Sequence, residues 1–481
     1  MKLFIFILGT LLFSRFSYAD QNLTILYTGY SLGEILPCGC TEEGDLGGIL
    51  RRATIIEEER SVNKNILILD AGDTFKEPTE QGKLKAKTFI EAMNKMGYDA
   101  ILPGEKDFIY GEDIINKGSF NRWLLSNVEN KNIEKGKTVK YVLKKLEDGT
   151  TIAIIGLLGP DVFHAKGQTK VIIQNPLEAL KKLLAKLKAE GNANIVLLLT
   201  HMKKEKAKEL FNHKDVDIVI NGHLENDDLI VEPEIVGNRI MAHARERGQF
   251  LGKITLSIGN NQIQKVSNEY IALPKKVNES QSVQALYDKY NEDTKQFFLK
   301  WLEIAKKEKS KKSSFITAEV CKMCHRADYD IWKKSGHSHA FKTLETSGKT
   351  FDPECLVCHT TAFKEEGGFL SDSITPKLRN VQCEACHEAG LEHIKLVGQN
   401  KLSLRERTKY YRKATKDVCL KCHTRENSPT YNFETYWEKI KHFGKNVEAT
   451  QRKRLMGREG YLMTAPFRNR WKWEKQFSRP K

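Results

Sequence analysis

The chain has 481 residues and is 40% hydrophobic, so it is too long for one small domain and can bury a core in each of two. Its net charge of +16 is uneven, because residues 311–481 hold 34 Lys and Arg against 20 Asp and Glu, while residues 1–310 hold 44 against 42. No stretch after residue 20 is long and apolar enough for a transmembrane helix, which excludes a membrane-spanning mature chain.

The first 19 residues have the pattern of a secretory signal peptide. Met1 and Lys2 precede an apolar run at 3–13, and Ser17-Tyr-Ala19 supplies the small residues that a signal peptidase reads. We therefore expect an exported, periplasmic protein that is cleaved after about Ala19.

Residues 20–275 alternate between predicted strands and predicted helices. The strands cover residues 23–27, 65–70, 100–104, 137–145, 151–158, 194–201 and 216–222, with a β-rich end at 239–273. The helices cover residues 47–60, 83–96, 176–189 and 203–212. Several strands end in Asp or His before a helix, which indicates an α/β sheet with polar groups at its carboxyl edge.

Motifs along this half resemble the calcineurin-like metallophosphoesterases, specifically the N-terminal domain of periplasmic 5′-nucleotidases. They include Leu46-Gly-Gly-Ile-Leu-Arg-Arg52, Leu69-Asp-Ala-Gly-Asp-Thr-Phe75, Met96-Gly-Tyr-Asp-Ala-Ile-Leu-Pro-Gly104, Val196-Leu-Leu-Leu-Thr-His201, Asp217-Ile-Val-Ile-Asn-Gly-His223 and Gly248-Gln-Phe-Leu-Gly-Lys-Ile-Thr-Leu256. The resemblance implies an α/β domain with a four-layer αββα fold. It also implies a two-metal site that clamps a phosphate and activates a water.

The same resemblance implies that this metal site is degenerate. Tyr30 and Leu32 stand where the family has an Asp and a His after the first strand, and Lys106 replaces the catalytic histidine. The remaining ligand positions hold Asp73, Glu105, His201, His223 and Glu225. These oxygen and nitrogen donors leave room for one divalent metal, and a two-metal phosphatase is not expected.

Cys38 and Cys40 follow the first predicted strand, near the place of the missing metal ligands. They could form a disulfide, ligate a metal or act as a thiol redox pair. The alternative is that they are two small packed thiols in a tight turn. We favour a functional role over simple packing, with the two cysteines as candidates for redox chemistry, because the other eight cysteines belong to repeated motifs.

Residues 276–314 are predicted to be a helical, charged linker. An amphipathic pattern at 279–303 is followed by a lysine-rich segment of low complexity at 306–314. The second domain therefore covers residues 315–481.

Four C-x-x-C-H motifs follow the linker, and each is the attachment signature of a c-type haem. They are Cys321-Lys-Met-Cys324-His325, Cys355-Leu-Val-Cys358-His359, Cys383-Glu-Ala-Cys386-His387 and Cys419-Leu-Lys-Cys422-His423. The cysteines form thioether bonds to the haem, and the histidine becomes the proximal iron ligand. Structural zinc is the alternative, but a zinc ribbon needs no histidine after every pair. We therefore expect four covalently bound haem c groups in a mostly α-helical domain.

Four further histidines are candidate distal ligands: His337, His339, His393 and His442. The segments at 332–340 and 383–393 resemble the tetrahaem cytochrome c family of ammonia oxidisers. By that resemblance His337 and His393 are distal ligands, His442 is a weaker match, and His339 stays open. Met456 and Met463 are the thioether alternatives.

The sequence thus favours an exported tetrahaem cytochrome that transfers electrons, fused to a degenerate 5′-nucleotidase-like domain that binds a ligand or performs thiol chemistry. One alternative is an active metal-dependent nucleotidase with an attached cytochrome. Another is a haem reductase of a small nitrogen compound at a five-coordinate iron. The basic second half suits acidic periplasmic or membrane redox partners, unless its lysines only balance the haem propionates. Nucleic acid is not expected as a partner.

Overall fold

The computed structural model of the protein describes residues 21–37, 45–76, 78–120, 122–163, 171–191, 193–225, 230–308, 313–398, 414–425 and 427–442. It divides into two compact units, the first ending at Asn291 and the second beginning at Glu292. This boundary lies inside the segment predicted to be a linker. None of the described helices is long and apolar enough to cross a membrane.

The first unit contains fifteen described strands and five described α-helices. The strands are β1 (Gln21–Thr28), β2 (Ile66–Asp70), β3 (Ala100–Ile101), β4 (Trp123–Leu124), β5 (Val128–Glu129), β6 (Thr138–Val139), β7 (Val142–Lys145), β8 (Thr151–Leu158), β9 (Ile172–Ile173), β10 (Ile195–His201), β11 (Ile218–Asn221), β12 (Glu234–Val236), β13 (Arg239–His243), β14 (Phe250–Gly259) and β15 (Gln262–Ala272). The helices are α1 (Ile49–Val62), α2 (Glu80–Lys95), α3 (Asp113–Lys117), α4 (Pro176–Ala189) and α5 (Lys204–Phe211). Every strand and helix predicted for this half overlaps an observed element. The elements that the sequence did not predict are short, so they carry little periodic signal.

Two sheets form the centre of the first unit. One has seven strands in the order β15-β14-β1-β2-β3-β4-β6, and the other has six in the order β12-β13-β11-β10-β8-β7. The pairs β1–β2 and β10–β11 are parallel, so the carboxyl ends of these strands lie at one edge of their sheets. That edge carries the polar residues of the candidate site.

Alternate residues of the six-stranded sheet pack on opposite sides, as expected for strands with a period of two. Ile154 and Leu197 belong to the core cluster that also contains the seven-stranded sheet, α1 and α2. Their neighbours Ile155 and Leu198 belong to a second cluster with residues of α4 and α5. This packing of helices, sheet, sheet and helices is the arrangement that the resemblance to the metallophosphoesterases implies.

Helix α4 shows how local sequence sets an element that covers the sheet. The side chain of Asn175 accepts hydrogen bonds from the backbone N–H groups of Leu177 and Glu178, and Pro176 occupies the first turn. Leu180 and Leu187 are both buried against the six-stranded sheet. The capping residue fixes where the helix starts, and the leucine spacing fixes which face it buries.

Helix α6 (Gln281–Glu308) contributes residues to both units. Val283 and Tyr290 belong to the core of the first unit, whereas Phe298 and Leu302 belong to a core cluster of the second. The predicted helix at 279–303 therefore packs with apolar contacts along its length.

The second unit is helical in its described part. Its helices are α7 (Ala318–Cys321), α8 (Arg326–Lys334), α9 (Ala340–Ser347), α10 (Pro353–His359), α11 (Cys383–His387), α12 (Leu391–Gly398), α13 (Lys416–Cys419) and α14 (Phe433–Ile440). Apart from one isolated bridge between Thr360 and Arg379, no β-pairing occurs among its described residues. Its core includes Phe341, Leu356 and Phe369.

Candidate metal and haem centres

A candidate metal-binding cluster lies at the carboxyl edge of the two sheets in the first unit. Asp73, Glu105, His201 and His223 each place one ligand atom within 4.8 Å of the others. These four residues belong to the set predicted from the sequence. The fifth, Glu225, is exposed and is not part of the cluster.

Loops at strand ends position the four side chains. Asp73 lies three residues after β2 with a φ of 58°, and Glu105 begins a 3-10 helix, Glu105–Phe108, after β3. His201 is the last residue of β10, and His223 follows β11 by two residues. Gly104 must be glycine here, because an added Cβ would lie 2.4 Å from Oδ1 of Asp73. Tight backbone approach therefore brings four distant segments together.

His201 has a contact on each ring nitrogen. Its Nδ1 lies 2.8 Å from the carbonyl oxygen of Ala71, so Nδ1–H donates to that carbonyl. Its Nε2 then faces Oε2 of Glu105 at 2.6 Å and Oδ1 of Asp73 at 3.4 Å. Burial acts to lower the pKa of His201, but the two carboxylates outweigh it and raise the pKa to about 9. The two carboxylates stabilise a positive charge at Nε2 of the buried imidazole. A divalent cation can take the place of the proton there.

The donor set of two imidazoles and two carboxylates fits one transition-metal ion such as Zn²⁺, Mn²⁺ or Fe²⁺. His223 supports this fit, because its buried Nδ1 has no hydrogen-bond partner and lies 3.6 Å from Oε1 of Glu105. The four residues would hold the ion, which supplies Lewis acidity when it is bound.

Tyr30 and Leu32 are not part of the four-residue cluster. Both side chains are buried and pack with Leu224 in a small apolar cluster. The phenol of Tyr30 is a weak ligand at neutral pH and leucine has no donor atom. Cys38 and Cys40, the proposed redox pair near this place, lie outside the described residues.

The four haem-attachment motifs lie at or just after short helices of the second unit. Cys321 ends α7 and Cys419 ends α13, while the second and third motifs lie in α10 and α11. The side chains of Cys321 and Cys383 are neighbours, and so are those of Cys358 and Cys422. The first motif is thus adjacent to the third, and the second is adjacent to the fourth.

Three proximal histidines each face one further histidine. The ring centroids are 6.4 Å apart for His325 and His393, 6.0 Å for His337 and His423, and 6.2 Å for His387 and His442. With metal–nitrogen bonds of about 2 Å, and roughly 1 Å from nitrogen to ring centre, two imidazoles on one metal have centroids about 6 Å apart. The three pairs therefore fit bis-histidine ligation of one iron each.

Burial favours the ligand form of three of these six histidines, whereas the Asp328 carboxylate beside His325 raises the pKa of that imidazole. Burial lowers the pKa of His337, His423 and His442 and so favours the neutral imidazole, which is the form that binds a metal. The haem groups, when bound, supply one-electron chemistry.

His359, the proximal residue of the second motif, has no facing histidine ring among the described residues. Its Nδ1–H donates to the carbonyl oxygen of Ala340 at 2.6 Å. The remaining predicted candidate, His339, is exposed, and its Nδ1 lies 3.3 Å from the hydroxyl of Ser338. Met456 and Met463 lie outside the described residues.

The sequence did not predict the side chains that contact two of the proximal histidines, His325 and His423. Oδ2 of Asp328 lies 3.5 Å from Nδ1 of His325, and the hydroxyl of Ser428 lies 2.9 Å from Nδ1 of His423. Tyr431 stacks on the His423 ring with centroids 4.8 Å apart. Only the three-residue spacing from His325 to Asp328 on one helix could have signalled such a contact.

Comparison with known proteins separates the two halves in the same way. The family model "Cytochrome c554 and c-prime" matches residues 320–388, which include three of the four motifs. Cytochrome c-554 of Nitrosomonas europaea is 32% identical over 85 residues, or 15% of this chain and 36% of that protein.

The N-terminal half matches phosphoesterases. It is 28% identical over 248 residues to the trifunctional nucleotide phosphoesterase protein YfkN of Bacillus subtilis, covering 43% of this chain and 17% of that protein. It is 25% identical over 298 residues to the 5′-nucleotidase of Vibrio vulnificus, covering 53% of each chain. The chain therefore spans about half or less of the length of these curated relatives.

A solved structure agrees with the fold of the first unit. The 5′-nucleotidase precursor from Thermus thermophilus superposes with a TM-score of 0.50 at 21% identity, covering 56% of this chain and 59% of that one. The chain thus joins an N-terminal half that is similar to the 5′-nucleotidases and other calcineurin-like phosphoesterases to a C-terminal region that matches the cytochrome c554 family.

Proposed function

We propose that the protein is an exported tetrahaem c-type cytochrome that transfers electrons. The observation that carries this proposal is the set of three histidine pairs with centroids 6.0–6.4 Å apart, each containing the proximal histidine of one motif. Bis-histidine ligation leaves no open iron position and keeps reduction potentials low. Such sites pass electrons and do not bind substrates.

In this proposal the first unit holds one divalent cation and does not hydrolyse phosphoesters by the two-metal route. The support is the apolar packing of Tyr30 and Leu32, which removes two ligands that such a route needs. The unit would instead bind a ligand at the metal, or use the thiols of Cys38 and Cys40.

Spectra of the purified holoprotein test the electron-transfer proposal. We expect about four haems per chain by pyridine haemochrome assay, and low-spin signals that dominate both the optical and the paramagnetic resonance spectra. Rapid, reversible reduction by a one-electron donor should follow. Fewer than three low-spin haems per chain would contradict the assignment of three bis-histidine pairs.

A haem reductase is the second candidate, and His359 favours it. Because no histidine ring faces it among the described residues, its haem would be five-coordinate and open to a small nitrogen compound such as nitric oxide. One high-spin haem whose Soret band shifts on adding nitric oxide would support this role. A spectrum with four low-spin haems would exclude it.

A phosphoesterase remains the third candidate because Asp73, Glu105, His201 and His223 converge. Release of phosphate from nucleotides by the Mn²⁺-loaded protein, abolished in His201→Ala, would support it. No release above that variant would remove it.

We also propose that the partners are periplasmic or membrane redox proteins with acidic surfaces. The support is the excess of 34 basic over 20 acidic side chains in residues 311–481. Electrostatic steering of this kind makes the association rate fall steeply with ionic strength. An association rate that does not change between low and high salt would argue against it.

A further inference from the structure

Lys106 has an unusual place beside the metal cluster of the first unit. Its Nζ lies 2.5 Å from Oδ2 of Asp73 and 2.9 Å from Oε1 of Glu105. Its backbone N–H also donates to Oδ1 of Asp73 at 3.1 Å. The same ammonium group lies over the ring of Tyr30, 5.0 Å from the ring centroid.

These contacts divide the oxygens of the two carboxylates between two cations. Oδ1 of Asp73 and Oε2 of Glu105 face Nε2 of His201, whereas Oδ2 of Asp73 and Oε1 of Glu105 face the ammonium of Lys106. Oε1 of Glu105 also lies 3.6 Å from Nδ1 of His223, so this oxygen is shared between that imidazole and the ammonium. The inner pair of oxygens thus faces His201, and the outer pair faces a fixed positive charge.

Exposure gives the cluster a closed side and an open side. The side chains of Asp73 and His201 are fully buried, while those of Lys106 and Glu105 are 29% and 21% exposed. A ligand that enters from solvent therefore meets the lysine and the outer edge of the cluster first.

We propose that Lys106 replaces the charge of a second metal ion, so that the site holds one divalent cation and, next to it, one tetrahedral oxyanion. This inference rests on the one-cation site proposed above. Two carboxylates carry a charge of −2, whereas one divalent cation and Lys106 carry +3. The assembled site is therefore positive and favours an anion. The ammonium has three donors and uses two of them on Asp73 and Glu105, which leaves one that can bind the anion directly.

Calorimetry with the holoprotein tests the role of Lys106. We expect the wild type to bind one Mn²⁺ per chain and, once Mn²⁺ is bound, inorganic phosphate. Lys106→Met should bind Mn²⁺ about tenfold more tightly, because a competing positive charge is gone. It should bind phosphate about tenfold or more weakly, because a charged donor is lost. Lys106→Arg should retain phosphate binding.

The matched control is Lys117→Met, which removes an exposed lysine from an ion pair with Asp113 and should change neither affinity. Circular dichroism and thermal melting check that each variant is folded. If the wild type binds no Mn²⁺, the one-cation site itself fails. If it binds one Mn²⁺ but Lys106→Met leaves phosphate affinity unchanged, only the role of Lys106 fails. Two Mn²⁺ per chain would also overturn that role.

Discussion

The buried ring of His201 shows how one residue links the metal cluster to pH. Its pKa of about 9 in the folded protein exceeds the ordinary value of 6.5, so proton binding stabilises the fold. The contribution is fully present below about pH 6.5 and is lost as pH rises through about 9. This contribution to the free energy of unfolding is at most about 3.5 kcal/mol, since one pKa unit is about 1.4 kcal/mol.

We therefore expect the melting temperature of the metal-free protein to fall between pH 6.5 and pH 9.5. Saturating Mn²⁺ should flatten the decrease, because the cation replaces the proton at Nε2. Differential scanning calorimetry of the first unfolding transition, with and without Mn²⁺, measures this. Glu105→Gln removes one of the carboxylates that raise the pKa and should weaken the dependence. An unchanged slope in that variant would contradict the assignment.

We expect Asp328 to lower the reduction potential of the haem at the first motif. Its carboxylate lies 3.5 Å from Nδ1 of His325 and makes that imidazole a stronger donor, which favours ferric iron. We expect Asp328→Asn to raise the reduction potential of one haem and to leave the others unchanged. Potentiometric titration followed by paramagnetic resonance measures the shift. Asp330→Asn, on the same helix but facing Arg326, is the control.

At the scale of elements, one buried carboxylate joins the segments around two haem motifs. Glu384 on α11 accepts backbone hydrogen bonds from Ile316 at 2.9 Å, Thr317 at 2.9 Å and Gly390 at 2.8 Å. Two of these donors immediately precede α7, which carries the first motif. The contact therefore fixes α7 relative to α11.

We expect Glu384→Ala to destabilise the second unit by about 2–4 kcal/mol, because three partly buried N–H groups lose a charged acceptor. Urea unfolding followed at the Soret band measures the loss. Glu392→Ala, which removes an exposed carboxylate from α12, should cost less than about 0.5 kcal/mol. Equal losses for the two variants would show that the buried contact is not the cause.

At the scale of the whole molecule, each unit has a core of its own. The two clusters of the first unit include residues such as Leu197 and Leu198, and the main cluster of the second unit includes Phe341 and Phe369. Ligands of one unit should therefore stabilise that unit more than the other.

We expect a chelator of divalent cations to lower the midpoint temperature of the first unit's unfolding transition and of no other transition. A divalent cation present at a hundred times its dissociation constant adds about 2.7 kcal/mol to the free energy of unfolding, and the chelator removes this contribution. Calorimetry should show this transition move, while the Soret-band shift that reports the loss of haem ligation in the second unit keeps its midpoint. If both transitions move together, the units unfold as one.

The sequence by itself determined much of this protein. Hydrophobic periodicity placed the long strands and helices of the first half. When one face of an element is buried, apolar residues recur every second position in a strand and every third or fourth position in a helix. The C-x-x-C-H spacing predicts the haem-attachment sites, because both cysteines and the histidine act within one turn. Motif positions also placed Asp73 and His201 at strand ends.

Only the tertiary structure decided which distant groups meet. The pairing of His387 with His442, the contact of Lys106 with Asp73 and the separation of Glu225 from the cluster all depend on chain reversals between segments far apart in sequence. Local pattern carries no information on such distances, since they are set by how sheets, helices and loops pack. His339 shows this most simply, because it lies two residues from His337 and faces no proximal histidine among the described residues.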